Sequence, residues 1–155
     1  EDGDAEVAKV DCTLKVKMDG VQAKLIDVKM FESSIWQETA RKCLGCGTCT
    51  YVCPTCYCFD IDNENAGAEG YKFRCWDSCM FSEYTRMAGG HNPRPSKKER
   101  VRNRFLHKLA YFEDRYGKGP LCVGCGRCVA HCPVDLDITS FIDKVGALKE
   151  AGKND

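Results

Sequence analysis

Eight of the thirteen cysteines in this 155-residue chain form two runs with one spacing. In each run two residues separate the first three cysteines, three residues precede the fourth, and a proline follows. The runs are Cys43, Cys46, Cys49 and Cys53 before Pro54, and Cys122, Cys125, Cys128 and Cys132 before Pro133. Thiolates at this spacing wrap a tight loop around one iron–sulfur cube. The sequence therefore predicts two [4Fe–4S] clusters.

A glycine stands on each side of the second cysteine in both runs, at Gly45, Gly47, Gly124 and Gly126. Glycine adopts backbone conformations that other residues avoid, and it lets the backbone come close to a bound group. Backbone N–H groups near the cluster sulfur atoms tune its reduction potential. The glycines therefore support the same chemistry as the cysteines.

The fourth cysteine of each run leaves its own loop. In two-cluster ferredoxins this cysteine binds the cluster of the other run. We therefore predict two crossed ligand sets. One is Cys43, Cys46, Cys49 and Cys132, and the other is Cys122, Cys125, Cys128 and Cys53.

Structural zinc is the main alternative for these eight cysteines. Zinc sites use separated Cys-x2–4-Cys pairs with four ligands per ion, which fits two triples with a remote fourth ligand poorly. Thioredoxin-like chemistry needs one Cys-x-x-Cys before a helix in a βαβ unit. A disulfide scaffold conflicts with the odd cysteine count and the clustering at ligand spacings.

Five further cysteines lie outside the runs. Cys56, Cys58, Cys75 and Cys79 lie between them and could bind a third cluster or zinc, be buried as small apolar residues, or include a reactive thiol. The hairpin register predicted below would place Cys75 on the face opposite Cys56 and Cys58, which disfavours one metal site. We expect Cys12, far from the others, to be inert.

The pattern around the runs predicts both strands and helices. Alternation around the turn Asp19-Gly20 predicts a hairpin whose return strand covers residues 21–30. Helices are predicted over 35–42, 77–87, 97–116 and 139–151, with a cap at Ser33 or Ser34 for the first and at Ser96 for the third. Residues 57–62 and 71–76 predict a second hairpin, in which Ile61 faces Tyr71 and Phe59 faces Phe73.

Other side chains allow a structural and a functional interpretation. His91, His107 and His131 are either ordinary surface or capping residues or ligands and proton carriers. Trp36 and Trp76 are expected to be core residues or to shield a cluster. A basic stretch is either a solvated helix face or a surface for an acidic partner; it consists of Arg86, Arg94, Lys97, Lys98, Arg100, Arg102 and Arg104.

Bulk properties narrow the class of protein. The formal net charge is zero, and the chain has no aromatic stacking platform, so we expect no nucleic-acid partner. No run approaches 18 apolar residues, so we expect no membrane segment. No secretion leader is visible, and the thiol-rich metal motifs suit a reducing compartment. We therefore expect a cytoplasmic location.

Short motifs around the runs add a resemblance. They lie at residues 53–60, 74–79, 88–95, 102–108 and 125–129. In this order they resemble the C-terminal dicluster domain of the iron–sulfur subunits found in sulfhydrogenases (beta subunit) and in anaerobic sulfite reductases. The similarity covers roughly residues 31–142. It implies an anaerobic protein that relays electrons between a flavoprotein subunit, which binds FAD and NAD(P), and a catalytic redox subunit.

These observations predict an α+β protein with a bacterial ferredoxin-like two-cluster core. The predicted dicluster domain covers residues 31–142 and contains an insert, residues 54–121, with a β-hairpin and helices. Residues 1–30 are expected to be the strand-rich tail of a preceding domain, and residues 143–155 a C-terminal helix or tail. We expect a non-catalytic electron-transfer subunit of an oxidoreductase complex. A redox- or oxygen-sensing cluster protein and a sulfur-metabolising enzyme remain as alternatives.

Overall fold

The computed structural model describes residues 16–148. Short helices and one two-stranded sheet make up this part of the chain. In order they are α1 (Val21–Ile26), α2 (Val28–Phe31), α3 (Ile35–Ala40), α4 (Thr48–Tyr51), β1 (Phe59–Ala66), β2 (Glu69–Trp76), α5 (Lys97–Leu106), a π-helical segment (His107–Tyr111), α6 (Phe112–Tyr116), α7 (Arg127–Ala130) and α8 (Ile138–Ala147). Cys12 and the rest of residues 1–15 lie outside the described residues, as do residues 149–155.

The longest helical stretch runs without a break from Lys97 to Tyr116 and confirms the helix predicted there. It begins at a capping box, in which Glu99 accepts a hydrogen bond from the backbone N–H of Ser96 (2.8 Å). It ends at Gly117, whose φ of 60° is left-handed. The π-helical segment in its middle was not predicted, and it begins at His107, next to Lys108.

The core forms where this stretch meets α3 and α8. Trp36 of α3 has no exposed surface, and its ring centroid lies 4.9 Å from that of Phe141 in α8. Phe141 also packs on Phe105 of α5, with ring centroids 4.8 Å apart. These aromatic contacts join helices from both ends of the sequence into one core.

The predicted return strand over residues 21–30 is wrong, because the chain forms α1 and α2 there. Val21 and Leu25 are four residues apart and share one helix face, which is buried against the π-helical segment and α8. The Lys24 ammonium donates hydrogen bonds to the carbonyls of Gly146 (2.7 Å) and Leu148 (2.6 Å). Burial of this face overrides the local alternation, and residues 21–30 pack with the domain that was predicted to begin at residue 31.

The only sheet within residues 16–148 is an antiparallel hairpin of β1 and β2, joined at Gly67 and Ala68. Its register differs from the predicted one, because Phe59 pairs with Trp76 and Ile61 pairs with Arg74. Every residue of both strands is exposed. With neither face buried, apolar residues carry little information about register, and the two-residue turn determines it instead.

The predicted helix over residues 77–87 is also wrong, since the chain is irregular between Trp76 and Lys97. The side chain of Asn92 holds this segment together. Its Oδ1 accepts hydrogen bonds from Thr85 Oγ1 (2.7 Å) and from the backbone N–H of Arg94 (3.0 Å), and its Nδ2 donates to the carbonyl of Ser82 (2.7 Å). These side-chain bonds replace the backbone bonds that a helix would supply.

The other predicted helices are present with shorter bounds. The helix predicted over 35–42 ends at Ala40. Ser34 makes no side-chain capping bond, whereas Ser33 Oγ accepts from the backbone N–H of Ile35 (3.3 Å). The helix predicted over 139–151 is α8, capped by Asp137, whose carboxylate accepts from the backbone N–H of Thr139 (2.7 Å). Among the described helices, none has the length and apolar character needed to cross a membrane.

Candidate iron–sulfur site

The two cysteine runs fold into loops with the same backbone conformation. Gly45 and Gly47 have φ values of 74° and 77°, and Gly124 and Gly126 have 67° and 71°. These left-handed values are costly for other residues, which explains the glycines on both sides of the second cysteine. Each second glycine starts a short helix, and these helices, α4 and α7, contact each other. The repeat in the sequence is therefore a repeat in structure.

Backbone N–H groups point at cysteine sulfur atoms in both loops. The N–H of Gly45 donates to Cys43 Sγ at 3.3 Å, and the N–H of Leu136 donates to Cys132 Sγ at 3.2 Å. Bonds of this kind stabilise the negatively charged form of the sulfur, which is the form that binds metal.

One cavity lies between the first loop and the end of the second run. Four cysteines line it: Cys43, Cys46, Cys49 and Cys132. Met80, Phe105 and Arg104 form part of its wall. The structure therefore brings together the first predicted ligand set, including the cysteine that comes from the other run.

A second, wider cavity of about 580 Å³ lies beside the second loop. Four cysteines line it: Cys53, Cys122, Cys125 and Cys128. Lys108 and Arg104 line it as well, so that Arg104 borders both cavities. The second predicted ligand set is thus also assembled from both runs.

The donors at these cavities fit [4Fe–4S] clusters. Each cavity offers four thiols, which is the number that binds one such cluster through one thiolate per iron. Within residues 16–148, no three histidine, cysteine or acidic side chains stand close enough together to hold a single metal ion. The sites also reach the surface, because Cys46 and Cys125, the second cysteines of the two runs, are exposed.

The four remaining cysteines of the insert do not form one group. The thiols of Cys58 and Cys79 are close enough to shift each other's pKa, and so are those of Cys56 and Cys53. Cys75 lies apart on the exposed hairpin, with its Sγ 3.9 Å from the carbonyl oxygen of Asp60. The structure thus separates Cys75 from the other three members of the predicted third site.

Charge and hydrogen bonding set the acidity of these thiols. The pKa of Cys53 is lowered to about 4, mainly by hydrogen bonding from Cys56; Thr55 and the positive charge of Lys108 act in the same direction, and burial opposes them. The bond from Cys79 likewise lowers the pKa of Cys58 to about 6. Burial instead raises the pKa of Cys49 to about 11, although Arg104 opposes the shift. The lowered pKa favours the thiolate form of Cys53, which is the form that binds metal.

Sequence reasoning did not foresee the positions of Arg104 and Lys108. Arg104 was expected within a solvated or partner-binding basic stretch, yet its exposed fraction is 4%, and that of Lys108 is 2%. Arg100, in the same stretch, is 8% exposed. The signal was present in the spacing, because these three cations are four residues apart and accompany the apolar positions Val101 and Phe105 on the buried face.

The three histidines are not drawn together by the fold. His107 lies at the start of the π-helical segment, where its Nε2 is 3.4 Å from the hydroxyl of Tyr57. Burial lowers the pKa of His107, and the charge of Lys108 adds to this shift. His91 and His131 are both exposed. None of the three lines either cysteine cavity.

Comparison with known proteins agrees with this geometry. A family model described as "4Fe-4S dicluster domain" matches residues 42–136, which include both runs. Sulfhydrogenase 2 subunit beta of Pyrococcus furiosus is 41% identical over 124 residues, covering 79% of this chain and 36% of the relative. The chain thus spans little more than a third of that relative's length. No solved structure matches. The chain belongs to the 4Fe–4S dicluster domain family and carries two [4Fe–4S] clusters for electron transfer.

Proposed function

We propose that this chain is the iron–sulfur electron-transfer subunit of a sulfhydrogenase-like complex. It would relay electrons between a flavoprotein subunit that binds FAD and NAD(P) and a catalytic redox subunit such as a hydrogenase or a sulfite reductase. The name of the relative, a beta subunit of a sulfhydrogenase, supports the proposal. The motif resemblance points to the same kind of complex, and the reducing conditions that such thiol sites need suit a cytoplasmic location.

The observation that carries the proposal is the crossed lining of the two cavities. Three cysteines of one run and the fourth of the other line each cavity, which supports the ligand sets Cys43, Cys46, Cys49 and Cys132, and Cys122, Cys125, Cys128 and Cys53. Arg104 borders both cavities, so the two sites are neighbours. Such closeness suits rapid exchange of electrons between them.

The chain's own residues favour relay over catalysis. Each [4Fe–4S] cluster, when bound, supplies reversible one-electron oxidation and reduction. Four thiols at each cavity occupy all four irons of a cube, so no iron is left open for a substrate. The exposed Cys46 and Cys125 bring one edge of each site to the surface. Beside them the apolar side chains of Leu44 (64% exposed) and Val123 (63% exposed) offer contacts for a partner subunit.

Metal analysis of the whole chain, purified without oxygen, tests the proposal. We expect about 8 iron and about 8 acid-labile sulfide per chain, as two cubes require. About 12 of each would indicate a third cluster that uses cysteines of the insert. Zinc without sulfide would contradict the electron-transfer function altogether.

Cysteine variants test the crossed ligand sets. In Cys132→Ser we expect damage to the cluster whose other ligands lie in the first run, and in Cys53→Ser damage to the cluster of the second run. Cys75→Ser is the matched control, because Cys75 is exposed on the hairpin and lines neither cysteine cavity. Loss of the same cluster signal in Cys53→Ser and Cys43→Ser would show that the ligands do not cross.

A further inference from the structure

Two buried cations face the cysteine cavities without a carboxylate beside them. The ion pairs found within residues 16–148 join Arg86 with Glu83 and Arg102 with Glu32, and neither includes Arg104 or Lys108. The Lys108 ammonium donates a hydrogen bond to Thr55 Oγ1 at 2.8 Å. The guanidinium of Arg104 donates one long bond to the carbonyl of Cys49 (3.4 Å), and its buried Nε has no hydrogen-bond partner.

A buried cation without a counter-charge is costly, because the protein interior cannot replace its hydration. At 4% and 2% exposure, Arg104 and Lys108 therefore need negative charge close by. The groups that can supply it are cysteine sulfur atoms. Cys49 and Cys128 each line a cavity that Arg104 also lines, and Cys53 lines the cavity that Lys108 lines.

The two cations differ in the cavities they border. Arg104 lines the cavities of both ligand sets, while Lys108 lines only the one with Cys53. They lie one helical turn apart on the same buried face, so neither can turn to solvent without disrupting the core. Their positions relative to the two sites are therefore fixed by the fold.

We propose that Arg104 and Lys108 are the built-in counter-charges of the two clusters, Arg104 raising the reduction potentials of both and Lys108 raising that of one. The proposal rests on the ligand sets of the proposed function. Reduction adds one negative charge to a cluster and its four thiolates, and a nearby buried cation stabilises the reduced form. Because the surroundings are poorly solvated, water weakens this effect little.

The asymmetry gives Lys108 a separate role. By raising the potential of the cluster held by Cys53, Cys122, Cys125 and Cys128, Lys108 makes that cluster a better electron acceptor than it would be without this charge. Arg104 shifts both potentials together and so sets the working range of the pair. Both are positioning residues, because they act on the clusters through charge and make no bond to iron.

Redox titration of the loaded whole chain, followed by electron paramagnetic resonance without oxygen, tests these roles. In Arg104→Met we expect both midpoint potentials to become more negative. In Lys108→Met we expect one to become more negative while the other stays within error of the wild type. Arg104→Lys and Lys108→Arg keep the positive charge. We therefore expect their midpoint potentials to stay close to those of the wild type.

Arg100→Met is the matched control. Arg100 is a buried cation on the same helix, and its Nε also lacks a hydrogen-bond partner. Its guanidinium donates to the carbonyls of Arg94 (3.1 Å) and Pro95 (2.9 Å), however, and it lines neither cavity. We expect its removal to leave both potentials unchanged. If the buried cations had a purely structural role, Arg100→Met, Arg104→Met and Lys108→Met would instead have the same effect on the midpoint potentials.

Iron and sulfide content separate the possible failures. If the wild type lacks two clusters, the proposed function fails and the role of the cations fails with it. If Arg104→Met and Lys108→Met keep both clusters at unchanged potentials, only the counter-charge proposal is overturned. If Arg104→Met cannot hold its clusters, the comparison of Lys108→Met with Lys108→Arg decides, and equal potentials in these two variants overturn the proposal.

Discussion

The hydroxyl oxygens of Thr50 and Ser78 lie 2.8 Å apart in the interior, where the two residues are 4% and 0% exposed. Thr50 belongs to α4, the short helix that follows Gly47 of the first ligand loop. Its hydroxyl also donates to the carbonyl of Gly47 (2.7 Å). Ser78 belongs to the insert and accepts a bond from the backbone N–H of Met80 (3.1 Å). One buried pair thus anchors the ligand loop to the insert.

We expect Ser78→Ala to destabilise the loaded protein by about 1–3 kcal/mol, because it leaves buried polar groups at Thr50 and Met80 without their partner. The urea midpoint for loss of cluster absorbance, measured without oxygen, reports the change. Thr50→Val should cost a similar amount, and Thr50→Ser, which keeps the hydroxyl, should cost less.

The double variant Thr50→Val/Ser78→Ala distinguishes a shared bond from two separate ones. Residues that share a hydrogen bond give less than additive effects, because the bond can be lost only once. We therefore expect the double variant to be more stable than the sum of the two single effects implies. Full additivity would show that the two hydroxyls act independently.

The two ligand loops should respond differently to the same substitution. Gly47 and Gly126 have nearly equal φ values, 77° and 71°, but a Cβ at Gly47 would stand 2.8 Å from the ring of Phe81, whereas one at Gly126 would meet no atom within 4 Å. Gly126→Ala should therefore cost about 1–2 kcal/mol for the left-handed backbone alone. Gly47→Ala should cost about 1–3 kcal/mol more for overpacking.

The same urea midpoint measures both glycine variants. Phe81→Leu tests whether the ring of Phe81 is the cause. A smaller side chain at position 81 should reduce the loss of stability in Gly47→Ala and leave that in Gly126→Ala unchanged. Equal losses in Gly47→Ala and Gly126→Ala would show that Phe81 does not constrain the first loop.

The iron–sulfur sites were the most predictable part of the molecule. Ligand spacing within each run is local in sequence, so the loops and their glycines follow directly from the residue order. The long helix from Lys97 to Tyr116 was predictable as well, because its capping box, apolar period and terminal glycine all agree. These are features in which local chemistry decides the structure.

The failed predictions concern segments whose structure depends on tertiary packing, or on the absence of packing, rather than on local sequence. Val21 and Leu25 sit in a segment whose local alternation predicts a strand, but the core buries the helical face that contains both residues. The hairpin packs neither face, so its apolar residues could not specify the register. Arg104 was misassigned because a cation in a basic stretch is usually solvated, although its spacing places it beside Phe105 on the buried helix face.

The cysteines of the insert should differ in their reaction with alkylating agents. Cys75 is exposed on the hairpin, while Cys79 is only 6% exposed. We expect iodoacetamide to modify Cys75 in the loaded, folded protein and to leave Cys79 unmodified until urea unfolds the chain. Peptide mapping by mass spectrometry identifies the modified positions. Rapid modification of Cys79 would contradict its buried position.

The two tryptophans provide a matched pair for the stability of the core. Both were expected to be core or cluster-shielding residues. Trp36 has no exposed surface and is a core residue, whereas Trp76 is 70% exposed and is not. The indole N–H of Trp36 donates to the carbonyl of Met30 at 2.7 Å, and its ring packs on Phe141. Trp36→Phe loses that bond and leaves a cavity, and it should cost about 2 kcal/mol.

Trp76→Phe removes the same atoms at an exposed site on the hairpin and should change the free energy of unfolding by less than about 0.5 kcal/mol. The urea midpoints of the two variants therefore compare one chemical change in two environments. A loss in Trp76→Phe as large as in Trp36→Phe would mean that the hairpin is packed against other protein in solution. A small loss of stability in Trp76→Phe, together with modification of Cys75 by iodoacetamide in the folded protein, would instead agree with a solvent-exposed hairpin in the isolated chain.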